Sequence, residues 1–333
     1  MLWGALLFLA LLSAAATGYA NRARRRATAW RRHPFAFATF AGSFLFAMSL
    51  GSSSYLFWYA HRIQPVPLHQ QLFQGIDYDR EIRQSPRKMV IHVITIDLNA
   101  PGIRFLVTPA QPTDGRDLHA RKTSVFLEKF RLQLAINANY FYPFRSESPF
   151  DYFPHAGDGV DVCGYAASLG HVYSNKPWRP GTLFISQTNQ ASFETPIGPV
   201  YNAISGGGFI LRNGVVQPPP LIADEKDEPY PRAALGLSKD STRMFLVMID
   251  GKQRGYSEGV TLTELAQIAS EHGADTAIRL DEGGSCALAT EDGPGVAKLL
   301  NVPINNRIPY RERVVANHLG VFAGPGEVIN PSQ

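Results

Sequence analysis

The chain has 333 residues, of which 45% are hydrophobic, enough for one large globular domain or two small ones. Its formal charge of +4 is unevenly placed: residues 1–60 hold no Asp or Glu and six Arg, all within 22–32. Without those six, 26 Lys and Arg face 28 Asp and Glu, about −2, so the remainder lacks the basic face that nucleic-acid binding needs.

Two uncharged apolar stretches, 1–20 and 35–60, flank the arginine cluster. Each is as long as a helix needs to cross a bilayer, and together they predict a two-helix transmembrane hairpin. A cleaved signal peptide, with a cleavage site near Ala14–Ala16, is the alternative for the first, but there the positive charge precedes the apolar run, whereas here it follows. The positive-inside rule then keeps 22–32 in the cytoplasm and the chain after His61 outside it. Phe57, Trp58 and Tyr59 suit an interfacial aromatic belt. Cys163 and Cys286 therefore face an oxidising compartment, where a disulfide is allowed and their spacing does not require one.

Residues 61–88, rich in Pro, Gln and charge, read as a linker, and 89–325 as one domain. Strands are expected at 89–98 and 103–108 with a Pro-Gly turn between them, then a helix at 123–130 and a strand at 134–138. The aromatic segment 140–161 is a long loop, and short β-segments follow to 216, where Asn213-Gly214 marks a hairpin. Further strands are expected at 233–238 and 244–249. Thr261 and Glu264 form a capping box opening an amphipathic helix that stops at Gly273, and a strand at 276–280 follows. Strand, helix and strand at this spacing predict a βαβ unit with 244–249 and 276–280 parallel, in an α+β domain with a mixed sheet.

That topology singles out three residues. Asp250 and Asp281 directly follow the two parallel strands, and ligands bind beyond the carboxyl ends of such strands. The strand 233–238 turns back antiparallel, which returns Arg232 to the same edge. Each alone reads as a turn or a solvated side chain; three brought together by independent elements read as a site. Gly206-Gly207-Gly208 and Gly283-Gly284-Ser285 offer close backbone approach to an anion. Ser285 lacks a Gly-x-Ser-x-Gly setting, which argues against a serine hydrolase. The nine histidines show no metal spacing, so no metal and no cofactor is expected.

The segments Pro231-Arg-Ala-Ala-Leu-Gly236, Met248-Ile-Asp-Gly251, Leu262-Thr-Glu-Leu265 and Leu280-Asp-Glu-Gly-Gly-Ser285 together resemble the phosphodiester glycosidase family. Its members include the uncovering enzyme and bacterial relatives associated with exopolysaccharide biosynthesis. Ile136-Asn-Ala-Asn-Tyr-Phe141, Ala203-Ile-Ser-Gly-Gly207 and Val315-Ala-Asn-His-Leu-Gly-Val-Phe322 extend the resemblance over about 89–323. Two positions depart from the family pattern: Glu282 and Asn139 stand where glycine is usual.

The resemblance implies cleavage of a sugar–phosphate glycosidic bond in a glycan or envelope polymer, and the charge asymmetry of the N-terminal segments places that activity on the outer side of the cytoplasmic membrane. Asp281 is expected as base or nucleophile, Asp250 as an orienting carboxylate and Arg232 as the planar fork for phosphate. Asn137, Ser205, Gly206, Gly207, Glu282, Gly283, Gly284, Ser285 and Asn317 are expected around the substrate. One or two of the aromatic side chains Tyr140, Phe141, Tyr142, Phe144, Phe150, Tyr152 and Phe153 are expected on a sugar ring. A non-catalytic saccharide-binding protein is the alternative that Glu282 favours, and cleavage of P–O in place of C–O is a second alternative.

Overall fold

The structure is a computed structural model; it describes residues 2–26, 32–111, 115–148, 151–221 and 225–324. It divides into a helical unit, 1–64, and a β-rich unit, 65–333.

The helical unit holds Leu2–Arg26 and Arg32–His61. The helices pack closely on each other: a Cβ added at Gly42 would meet the Thr17 hydroxyl at 2.3 Å. Among the described residues one helical stretch, Phe37–His61, is long and apolar enough to cross a membrane. Where two spanning helices were expected, one stretch meets the length and apolarity that spanning requires. From Ala14 the first helix is diluted by Ala, Thr, Gly and Asn before its arginines begin. Part of the arginine cluster, 27–31, lies outside the described residues.

In the second unit an eight-stranded sheet runs in the order Leu68–Phe73, Ile76–Arg83, Met89–Asp97, Arg243–Ile249, Arg232–Leu237, Thr276–Arg279, Phe209–Arg212 and Val215–Val216, every neighbour antiparallel. Two expectations are corrected here. Half of the linker 61–88 is sheet: Ile76 and Tyr78 are buried, while charged Asp77, Asp79 and Arg80 between and after them blur the alternation. The two strands of the βαβ unit do run in the same direction, but Arg232–Leu237 lies between them and pairs antiparallel with both. The sheet is thus antiparallel where a mixed one was expected.

Alternation along Arg243–Ile249 explains the layers. Met244, Leu246 and Met248 enter a core shared with a five-stranded antiparallel sheet, ordered Ala297–Leu299, Leu288–Glu291, Leu134–Asn137, His318–Phe322 and Arg104–Val107. Phe245, Val247 and Ile249 face the helix Leu262–Glu271, whose Leu262, Leu265 and Ile268 complete a second core. Each such side chain contributes about 1.5–3 kcal/mol when fully buried. The Thr261–Glu264 capping box is formed. The helix Thr123–Phe130 covers the outer face of the second sheet through Phe126 and Leu127. Four layers result, helix, sheet, sheet and helix. A third antiparallel sheet, ordered His171–Asn175, Tyr165–Ser168, Asn202–Ser205, Thr182–Ile185 and Ala191–Phe193, adds Leu183, Ile185 and Ile204 to the shared core. Cys163 and Cys286 are unpaired.

Candidate active site

Register brings the strand ends together. Arg232 pairs with Ile249, and the Leu280 amide donates to the Ala233 carbonyl at 2.8 Å, which sets Asp250, Arg232 and Asp281 side by side at one edge. The second sheet ends at the same place: the Asp281 amide donates to the Ala138 carbonyl at 3.0 Å, and Asn137 Nδ2 donates to the Asp281 carbonyl at 2.7 Å. A cavity of about 510 Å³ opens there, lined by Asp281, Glu282, Arg232, Arg313, Tyr140, Tyr230 and the segment around Glu225. That is the size expected of a small-molecule site.

The two strand-end aspartates have different fates. Asp250 is buried and does not line the cavity. One of its oxygens accepts from the Val302 amide (2.9 Å) and Asn301 (3.3 Å); the other contacts His92 Nε2 (3.2 Å) and the Tyr256 hydroxyl (3.4 Å). Its expected orienting role on a substrate has no oxygen left to perform it. Asp281 lines the cavity; one oxygen accepts from the Glu282 amide at 2.9 Å, and the other is buried with no hydrogen-bond partner. Burial pushes its carboxyl up to about 6, with the Ser285 hydroxyl, the Arg313 charge and the Glu282 amide pulling it down.

Arg232 is buried with all three nitrogens engaged. Nη1 donates to both oxygens of Glu282 (2.7 and 2.6 Å), Nε to the Val260 carbonyl (3.1 Å) and Nη2 to the Glu228 carbonyl (3.2 Å). Its fork, expected on phosphate, is occupied by the protein itself. Glu282 also lies 2.9 Å from Arg279. Burial pushes the Glu282 carboxyl up to about 7, against the pull of the Arg279 and Arg232 charges. Arg279 in turn donates to Glu225 through both terminal nitrogens (2.8 Å each) and to the Tyr140 hydroxyl (2.5 Å).

Most of the remaining expected residues build walls. Asn137 holds the Asp281 carbonyl and accepts from the Ala287 amide. Asn317 accepts from the Asn139 amide and donates to the Asn139 side chain, which also accepts from the Ser205 amide. The Ser205 hydroxyl is tied to Tyr165. Gly206 and Gly207 pass beneath Arg279 and Tyr140; a Cβ at Gly207 would stand 2.8 Å from the Tyr140 ring. A Cβ at Gly283 would meet Tyr230 at 2.7 Å, and one at Gly284 the Arg313 guanidinium at 2.3 Å. Of the aromatic loop, Tyr140 and Phe144 line the cavity; Phe150 lies outside the described residues.

Sequence reasoning missed Arg279 and Arg313. A charged residue inside the apolar strand Thr276–Arg279 was a signal for the first. Arg313 sits in the charged run Arg311-Glu312-Arg313, which reads as solvated surface. The one group of described residues placed to hold a metal, Glu147, Asp151 and His155, is at the surface and already joined by His155–Asp151 (3.1 Å) and His155–Glu147 (3.9 Å) contacts.

The residues that line this cavity fall within a match to the phosphodiester glycosidase family over residues 130–322. The chain belongs to that family. No curated protein matches it. Among solved structures it is similar to a hypothetical protein from Synechocystis, with TM-score 0.60 and 16% identity, over 78% of this chain and 64% of that one. It is also similar to the catalytic domain of zebrafish N-acetylglucosamine-1-phosphodiester alpha-N-acetylglucosaminidase, auto-inhibited by its pro-peptide. There the TM-score is 0.54 and the identity 20%, over 79% of this chain and 85% of that one. At these identities the likeness is one of fold.

Proposed function

We propose that the domain hydrolyses the bond between a sugar and phosphate in a phosphodiester glycoside of a glycan or envelope polymer. The observation that carries this reading is the carboxylate of Asp281, which lines a cavity among arginines with one oxygen unpartnered. An alkoxide leaving group would require a general acid; a phosphate monoester leaves as a stable anion and does not. The C1–O bond to phosphate breaks, the electron pair leaves with the phosphate, and water supplies the new hydroxyl at C1. Asp281 acts at that carbon as base or nucleophile, and water's proton passes by way of a base to solvent. The grip of Glu282 on Arg232 favours a second reading, a saccharide-binding protein without turnover.

The test uses the purified full chain, a panel of sugar–phosphate diesters and ¹⁸O-labelled water. Label in the sugar product supports the proposal. Label in the phosphate makes the protein a phosphodiesterase, and no turnover across the panel selects the binding reading.

We further infer that Phe37–His61 anchors the domain in the cytoplasmic membrane with the catalytic unit outside. A reporter active only outside the cytoplasm should give signal when fused after Ala60 and none after Arg26; the opposite pattern overturns this placement.

A further inference from the structure

Three arginines surround the Asp281 end of the cavity, and their charges are in different states. Arg232 is neutralised by Glu282, with Asp227 at 3.9 Å. Arg279 is held between Glu225 and Glu282. Arg313 has no carboxylate within ion-pair distance among the described residues. Its Nε donates to the Asn305 side chain at 3.1 Å and its Nη1 to the Ser285 hydroxyl at 3.3 Å, both neutral partners.

The guanidinium is nevertheless held firmly. It lies over the rings of Phe144 (4.5 Å) and Tyr152 (5.7 Å) and against Gly284, where any side chain would collide with Nη2 at 2.3 Å. A half-buried cation fixed in place by neutral groups costs desolvation that no carboxylate within ion-pair distance among the described residues offsets. Its surroundings are positive as well. Lys252 stands 3.7 Å over the Tyr230 ring, and its ammonium is pushed down by burial and then by the charges of Arg307 and Arg313. The acid that acts most on Arg313 is Asp281, across the same cavity.

We propose that Arg313 receives the substrate's phosphate group, and that Arg232, bound to Glu282, is a wall of the site. This rests on the glycosidase reading and assigns its anion subsite. Nη2, which has no protein acceptor among the described residues, points the fork's free side at the ligand, with Ser285 and Asn305 fixing the plane. Phosphate bound there is set among Arg313, Asp281 and the Tyr230 ring, which line one cavity, so the anomeric carbon attached to it lies on the Asp281 side of that cavity.

Inorganic phosphate is the probe, titrated calorimetrically into the full chain and three variants whose melting is monitored in parallel. Arg313→Gln should weaken phosphate roughly 10- to 100-fold, the scale of a lost charge-assisted hydrogen bond to a charged group. Arg313→Lys should recover part of that, since it keeps the charge and loses the fork. The double variant Arg232→Gln/Glu282→Gln removes the internal ion pair as a unit and should bind phosphate as well as the parent or more tightly. If Arg313→Gln binds within threefold of the parent, or the double variant loses binding tenfold, Arg313 is not the receiver and this inference alone falls. If the parent binds no phosphate, this inference falls, and the glycosidase reading is decided separately by turnover of the diester panel.

Discussion

The ends of the strands Arg243–Ile249 and Thr276–Arg279 are near-equivalent in topology and opposite in chemistry. Each is followed by an aspartate at the same sheet edge, on either side of Arg232. Asp250 meets four neighbours and is closed off, with His92 backed by the Tyr78 hydroxyl at 2.7 Å. Asp281 accepts from one amide, with the Ser285 hydroxyl beside it, and its second oxygen is buried without a hydrogen-bond partner. A strand-end carboxylate is therefore an opportunity for chemistry, and what decides its use is whether the surrounding loops satisfy it. The loop 301–302 closes over Asp250 through Asn301 and Val302, while the loop after Asp281 turns into the short 3₁₀ segment Gly283–Ser285 and leaves the carboxylate at the cavity.

Removing either charge should break different properties, and the largest effect is expected at Asp281. Asp281→Asn should leave melting near the parent's, bind phosphate no more weakly than the parent, and lower turnover of a sugar–phosphate diester by roughly 10²–10⁴, the scale of a lost acid–base group. Equal turnover would remove Asp281 from the chemistry. Asp250→Ala should do the reverse. It strips the acceptor from several buried donors, so the fold should lose roughly 3 kcal/mol, a fall of about 6–12 °C in Tm for a domain of this size. The kcat of the folded fraction should fall far less than in Asp281→Asn. A variant that melts normally but has lost turnover would return Asp250 to the reaction and undo the comparison.

The sequence made the convergence of strand ends legible because alternation, a capping box and a turn are local signals. The helices Thr123–Phe130 and Leu262–Glu271 and the Asn213-Gly214 hairpin carry their signals within a few residues. Position along the chain does not reveal saturation, however. Asn301 and Val302 reach Asp250 from one loop and Tyr256 from another, and nothing in their local sequence marks them as its partners. The strands at 68–83 were hidden for a related reason: Leu68–Phe73 is largely polar and Ile76–Arg83 carries many charges, and they are sheet because Met89–Asp97 pairs with Ile76–Arg83, which pairs in turn with Leu68–Phe73. Arg313 was hidden by its charged neighbours Arg311 and Glu312, although a half-buried position and two aromatic rings set it apart from them.

The smallest expected effect concerns the acidity of Asp281, and it tests the comparison without removing either aspartate. Asp281 must be ionised to act as base or nucleophile. Burial raises its carboxyl to about 6, so kcat/KM should rise with pH up to about that value and flatten above it, falling about tenfold per pH unit on the acid side. Ser285 helps to hold the ionised form, so Ser285→Ala should move this limb to higher pH by a fraction of a unit while the plateau changes little. Glu282, raised to about 7 at the same cavity, is the competing source of such a limb. Glu282→Gln distinguishes them: a limb that persists belongs to Asp281, and one that vanishes belongs to Glu282 and makes the second carboxylate the group that must ionise. In either case Asp250→Asn should leave the position of the limb where it is, because its carboxylate is enclosed by its own four neighbours and does not line the cavity.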